Sequence, residues 1–150
     1  MWGDNSEGQT DAPPTSFIQI TSGYRHTCAL GPAGYADCWG RNNYGQSVDF
    51  SGPYTQISAG SDHTCGLNPN GSVDCWGRDD FGQAGEPAGP FVQISGGGTH
   101  TCGLTVTGAV DCWGNNAAGR ADDKFGPYMQ VSAGRSHTCA LTPIGVADCW

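Results

Sequence analysis

The residues best equipped for chemistry are eight cysteines and four histidines, and they are set out in step. His26-Thr27-Cys28 recurs as His63-Thr64-Cys65, His100-Thr101-Cys102 and His137-Thr138-Cys139, each copy 37 residues after the last. A second cysteine follows ten positions on, giving Cys28/Cys38, Cys65/Cys75, Cys102/Cys112 and Cys139/Cys149. Each second cysteine sits between an aspartate (Asp37, Asp74, Asp111, Asp148) and a tryptophan (Trp39, Trp76, Trp113, Trp150), and Trp2 holds the equivalent slot before the first copy. His-x-Cys places two good zinc ligands on one face of a strand. Against zinc, no Cys-x-x-Cys accompanies them, and each cysteine has a nearer partner within its own unit. The histidines are therefore expected to bond a neighbouring backbone or the next unit, with no metal and no cofactor. General acid–base work needs two groups in unlike environments, whereas four copies of one aspartate share one environment. Their expected role is a hydrogen bond tying strand to strand or unit to unit. No Ser-His-Asp set and no phosphate-cradling loop stands out, so no catalytic residue and no enzyme activity are expected.

The elements that must position these residues are short strands. Cys28-Ala29-Leu30 runs into Gly31-Pro32-Ala33-Gly34 and then Tyr35-Ala36-Asp37-Cys38-Trp39. Glycine and proline between β-compatible runs signal a hairpin. If it is symmetric about Ala33, Cys28 faces Cys38. Directly opposed residues have Cα atoms roughly 4.5–5.5 Å apart, and disulfides accept about 4.4–6.8 Å. One intrachain bridge per hairpin is expected. Along the strand His26, Cys28 and Leu30 fall on one face, and Thr27 and Ala29 on the other with Asp37 and Trp39. The Ala29 slot is Gly66, Gly103 and Ala140 in the later copies, always small, as if to leave room for the neighbouring indole. A third strand precedes each hairpin at Phe17–Ile20, Tyr54–Ile57, Phe91–Ile94 and Tyr128–Val131.

A fixed period in this range is the mark of a propeller or solenoid. The run Gln56-Ile57-Ser58-Ala59-Gly60, His63-Thr64-Cys65-Gly66-Leu67, then Val73, Cys75-Trp76-Gly77 and Gly82-Gln83 resembles the regulator-of-chromosome-condensation repeat, and the resemblance covers essentially the whole chain. It implies an all-β, propeller-type fold of four blades, each of about three antiparallel strands. That family is usually seven-bladed with longer repeats. The short period is closer to the bacterial propeller that inhibits β-lactamases, and the cysteine pair is not a general family feature. A single repeat domain over residues 1–150 is expected, with an N-terminal loop at 1–16 and repeats at about 17–53, 54–90, 91–127 and 128–150.

Composition bounds the function. Eight regularly spaced cysteines point to an oxidising compartment, so a secreted or extracellular location is expected. A net charge of -8 with Lys124 as the one lysine argues against nucleic acid, which needs clustered Lys and Arg. No apolar run approaches a membrane span, and no signal peptide precedes the first repeat. The chain begins and stops at the same phase of the repeat. Its ends are either cut from a longer array or meet head to tail, within a ring or between chains.

What varies between copies marks the candidate contact surface. Asn42, Asp79 and Asn116 suit turns in which the side chain bonds its own backbone; a calcium loop would need more oxygens than Asp79 and Asp80 bring. One slot of these loops holds Tyr44, Phe81 and Ala118, with Glu7 in the N-terminal copy. A second variable spot precedes each histidine: Tyr24-Arg25, Ser61-Asp62, Gly98-Thr99 and Arg135-Ser136. Aromatic and arginine side chains on loops over a rigid scaffold are the usual material of contacts, so Tyr44, Phe81, Arg25, Arg135 and Asp62 are the candidates. Asn70-Gly71-Ser72 is an N-glycosylation sequon on a hairpin turn. Thr10–Ser16, Ser47–Pro53, Ala84–Pro90 and Ala121–Pro127 keep length but not identity, and read as blade-to-blade connections. The expected role is a rigid scaffold that binds a protein or glycan and assembles with itself, two chains giving eight blades. The alternatives are a building block of a fibre or superhelical array, and a hydrolase-inhibitor module.

Overall fold

The computed structural model describes residues 3–150 and folds them into four antiparallel sheets of three strands, so Trp2 lies outside the described residues. The first sheet holds β1 (Gln19–Ser22), β2 (His26–Leu30) and β3 (Ala36–Gly40), and the second β4 (Gln56–Ala59), β5 (His63–Leu67) and β6 (Val73–Gly77). The third holds β7 (Phe91–Gly96), β8 (His100–Thr105) and β9 (Val110–Gly114), and the fourth β10 (Gln130–Ala133), β11 (Thr138–Leu141) and β12 (Ala147–Cys149). Each sheet is one blade, with its strands in sequence order. Beyond the strands, Ala117–Gly119 forms a single 3₁₀ turn.

The hairpin register is centred as the sequence predicts, with Cys28 opposite Cys38 and the same pairing in the other three blades. All four disulfides are formed, with Cα atoms 4.1, 4.1, 4.1 and 4.0 Å apart. That is closer than the general span for facing residues, for a visible reason. The Cys38 N–H turns away from β2 to Asp49 Oδ1 at 2.8 Å, and the Cys112 N–H turns likewise to Asp123. The cysteines thus occupy a non-hydrogen-bonded pair, the position where facing strands come nearest.

The first strand of each blade departs from expectation. It runs Gln19–Ser22, Gln56–Ala59 and Gln130–Ala133, two residues later than predicted, and only β7 begins at the expected Phe91. The turn into the hairpin is closed by the Gly23 N–H on the His26 carbonyl at 2.9 Å, so the strand must continue to Ser22 to reach it. A second correction concerns the small residue at Ala29, Gly66, Gly103 and Ala140. A Cβ on Gly66 would lie 2.6 Å from the ring of Tyr54, and one on Gly103 would lie 2.4 Å from Phe91. The space is taken by the aromatic that opens the blade, which in turn packs beside the indole, with Tyr54 and Trp76 centroids 6.0 Å apart.

The core lies between blades rather than within them. Cys28, Leu30 and Ala36 of the first blade close over Tyr54, Ile57 and Trp76 of the second. Cys65, Leu67 and Val73 do the same with Phe91 and Ile94. Cys102, Leu104 and Val110 do so with Val131 and Ala140. The connections carry more of the fold than their variability implied. Gly52-Pro53, Gly89-Pro90 and Gly126-Pro127 recur at the repeat step, each with a cis peptide. They deliver the N–H groups of Tyr54, Phe91 and Tyr128 to the hairpin-turn carbonyls of Gly34, Gly71 and Gly108 in the preceding blade. Phe50 and Lys124 add a one-residue bridge to the outer edges of β3 and β9, at Ala36 and Val110. The same slot in the second blade is Pro87, which has no N–H to give.

Candidate contact surface

The candidate residues gather at one end of the strands. The Trp-Gly loops return to the turns before each histidine through Arg41 N–H to Arg25 O, Arg78 N–H to Asp62 O and Asn115 N–H to Thr99 O, each 2.8 Å. The loops are held by their Asx residues: Asn42, Asp79 and Asn116 accept the N–H five residues on, at 2.8–3.0 Å. Gln46 Oε1 accepts the Tyr44 N–H and Gln83 Oε1 the Phe81 N–H, both at 2.9 Å, leaving those aromatic rings exposed. Tyr44 lies under two guanidinium groups, Arg78 at 5.0 Å and Arg41 at 6.0 Å. Asp62 stands between the same two arginines. Arg25 reaches Glu7 at 3.4 Å and covers Tyr24 at 5.4 Å. Arg135 is exposed, and its slot in the repeat is that of Tyr24, Ser61 and Gly98, one residue before that of Arg25 and Asp62. Asn70 lies at the opposite end, on the β5–β6 turn, exposed, with its Oδ1 taking the Ser72 N–H and O–H.

Beneath this surface the histidines form a ladder. His26 Nε2 meets Thr64 Oγ1 of the next blade at 2.9 Å; His63 meets Thr101 and His100 meets Thr138, both at 2.8 Å. Each threonine hydroxyl donates to a carbonyl of the preceding loop: Thr64 to Gln46, Thr101 to Gln83 and Thr138 to Arg120. A hydroxyl that donates its proton there can only accept from the imidazole, so each of these rings carries its proton on Nε2. Nδ1 of all three is buried without a partner. Burial therefore drops each of the three from 6.5 to about 4, an effect that Asp62 opposes at His26 and that the neighbouring histidines reinforce at His63. Each ring lies against a glycine; a Cβ on Gly60 would come 2.1 Å from His63 Cε1. His137, the fourth rung, is exposed.

The aspartates do not share one environment, which corrects the expectation from the repeat. Asp37 and Asp111 are lifted above the usual carboxylate range by burial and then by Asp49 and Asp123 respectively. Asp74 accepts from Asn68 Nδ2 at 3.0 Å, and Asp148 from the Tyr128 hydroxyl at 2.6 Å. Both bonds stay within one blade. The cause is the variable residue facing each aspartate, which the repeat does not fix. Among the described residues, no three His, Cys, Asp or Glu side chains gather as a metal ion would require.

The glutamines of the first strands carry a role that the strand pattern concealed. The Gln19 amide spans to the next blade, donating to Ile57 O at 3.0 Å and accepting the Ile57 N–H at 2.9 Å. Gln56 does the same to Ile94 and Gln93 to Val131. Thr21, Ser58 and Ser95 hydroxyls accept the N–H of Ala59, Gly96 and Ala133, two residues further along. An amide side chain thus stands in for a neighbouring strand. The signal was available in the repeat of Gln at every copy, but nothing local marks it as an inter-blade contact.

Three stretches, 17–46, 54–83 and 91–120, match the regulator of chromosome condensation (RCC1) repeat. A comparison with curated protein sequences finds no match. Among solved structures, the entire ectodomain of the receptor kinase CR4 from Physcomitrella patens is 26% identical, with 99% of this chain and 44% of that one covered at a TM-score of 0.84. The CRINKLY WD40 ectodomain of the receptor kinase ACR4 from Arabidopsis thaliana is 25% identical over 91% of this chain and 50% of that one, at 0.76. Prp20p of Saccharomyces cerevisiae, at 19% identity, 93% and 46% coverage and 0.77, shares the fold. The chain thus spans about half the length of the structures it matches. The blade register, the disposition of the repeat motif and the three matched stretches agree: the chain belongs to the RCC1 repeat family of β-propellers.

Proposed function

We propose that the chain is a non-catalytic binding scaffold of an oxidising, extracellular compartment, and that its end blades pair with those of a second copy. The four disulfides and the likeness to two receptor ectodomains support the compartment. The observation that carries the pairing is the complementarity of the two ends. The fourth blade presents Gln130, Ser132 and His137, all exposed, where the three blades before it use the same slots, filled by Gln, Thr or Ser, and His, to grip a neighbour. The first blade presents Ile20, 65% exposed, where Ile57, Ile94 and Val131 are 1%, 1% and 2% exposed against a neighbour. Exposed apolar faces at the ends of a repeat array need a cap or a partner, and the surface that fits each end is a blade of the same kind. Two chains joined head to tail give eight blades with two-fold symmetry, while a contact that fails to close gives a filament. Tyr44, Phe81, Arg25, Arg135 and Asp62 are then free to meet a ligand at the loop end.

Sedimentation of the purified, oxidised chain tests the pairing. The expected species is twice the 15.6 kDa chain, or an assembly that grows with concentration. A folded monomer at high concentration, with ordinary thermal stability, refutes it. Alanine at Tyr44, Phe81, Arg25 and Arg135 should leave folding intact and weaken ligand binding or assembly; silence of all four in both would place the contact surface elsewhere.

A further inference from the structure

The chain carries six Lys and Arg against fourteen Asp and Glu, so every cation could find a carboxylate. Four cations are engaged. Arg25 meets Glu7, Arg41 meets Asp62, Arg78 meets Asp62 and Asp80, and Lys124 lies over the Trp150 ring at 5.2 Å. Among the described residues, the other two, Arg120 and Arg135, have neither an ion-pair partner nor an aromatic ring beneath them. Both line the same cavity, of about 670 Å³, where β1, β4, β7 and β10 end beneath the loop surface. Asp62 and Arg78 line it as well, but their charges are already matched to one another. In a chain of net charge -8, this cavity holds an excess of positive charge.

Both arginines depart from the repeat. Arg120 occupies the slot of Gln9, Gln46 and Gln83, and Arg135 that of Tyr24, Ser61 and Gly98. In the glutamine slots the side chain caps its own loop, whereas Arg120 does this with Nε alone, donating to Ala117 O at 2.7 Å. That bond fixes the guanidinium and leaves its two terminal nitrogens without a protein partner among the described residues. The remaining polar lining consists of hydroxyls: Ser22, Ser61, Thr99 and Ser136. None of the four makes a side-chain hydrogen bond among the described residues. Tyr24 supplies the one large aromatic wall, at the rim.

We propose that this cavity binds an acidic saccharide. Arg120 and Arg135 take the carboxylate of a uronic acid, a group that a guanidinium meets with two parallel N–H donors. The four hydroxyls face the ring hydroxyls, which donate and accept as they do. A cavity of this size suits a small ligand of one or two sugar rings, in the range of about 300–1,000 Å³ common for such sites. An acidic peptide would call for apolar pockets to anchor its side chains, and the lining offers none beyond Tyr24.

Isothermal titration of the full oxidised chain with a uronic-acid disaccharide, beside the matching neutral disaccharide, tests the assignment. Binding is expected for the acid alone, weakening as salt is raised. Arg120→Gln and Arg135→Ser restore residues that the other repeats already carry, so melting curves should not move, while affinity falls at least ~10-fold for each. Equal binding of the neutral sugar, full affinity in both variants, or no binding at millimolar acid by a chain with its native melting curve overturns the proposal. So does displacement of the disaccharide by inorganic phosphate or by an acidic peptide at equal concentration, since the site would then read charge without the sugar. Sedimentation of each variant decides separately whether the chain pairs with a second copy, so a loss of affinity at unchanged mass is distinguished from a loss of pairing.

Discussion

The inner faces between blades and the two outer faces at the ends are built from the same residues and behave as different surfaces. Ile57 and Ile94 are sealed in the clefts between blades, while Ile20, at the same strand position, is 65% exposed. His63 is buried under the next blade and bonded to its threonine, while His137 stands in solvent. Nothing in the local sequence distinguishes them. A blade therefore does not own its core. It contributes half of one on each side, and the contribution becomes stability only when a neighbour arrives, as in other repeat proteins whose energy lies in the interfaces between units.

The largest expected effect comes from acid, and it acts on the inner faces alone. His26, His63 and His100 are held at about 4 in the folded state against about 6.5 when unfolded. Between those values the unfolded chain binds more protons, so stability is full above pH 6.5 and is lost as pH falls toward 4. Asp37 and Asp111, held high, titrate in the opposite sense and oppose a small part of the loss. Three buried rings together should cost on the order of several kcal/mol. Denaturant melts at a series of pH values check this. Replacing His63 should make the profile shallower.

Next in size is the apolar cleft. Ile57→Ala removes a side chain sealed between the first two blades and should cost about 2–5 kcal/mol. Ile20→Ala, measured on dilute protein, should stay within about 0.5 kcal/mol. If Ile20→Ala costs as much as Ile57→Ala, and does so only at high protein concentration, the end face is covered by another copy. The comparison is then sharpened rather than broken.

The smallest effect separates the ladder from the packing around it. Thr64→Val leaves the His26 Nε2–H and the Gln46 carbonyl without their shared partner, at about 1–3 kcal/mol. Thr27→Val in the first blade removes one of two donors to the Gln9 carbonyl, which keeps the Trp39 indole N–H at 3.0 Å, and among the described residues no imidazole is bonded to Thr27, so the change should cost less. Equal costs from the two changes would show that the hydroxyl matters for its carbonyl bond alone.

The sequence by itself determined the blade. The 37-residue step gave the copies, and Gly and Pro between β-compatible runs placed each turn. The ten-residue cysteine spacing set the hairpin register to the residue, because antiparallel pairing about a fixed turn leaves one partner for each position. The turn and the hairpin register are local relations within about a dozen residues of chain. What reached across blades was decided only in three dimensions. The Gln19 amide, the His26–Thr64 bond and the Gly-Pro contact all join residues that lie in different copies. A perfect repeat makes every such pairing look alike, so spacing cannot say which copy a side chain will meet. The unlike aspartates arise for the same reason, and so does the meeting in one cavity of Arg120 and Arg135, which among the described residues have no ion-pair partner. Each aspartate is set by a variable residue brought beside it by packing, and the period by its nature carries no record of what varies.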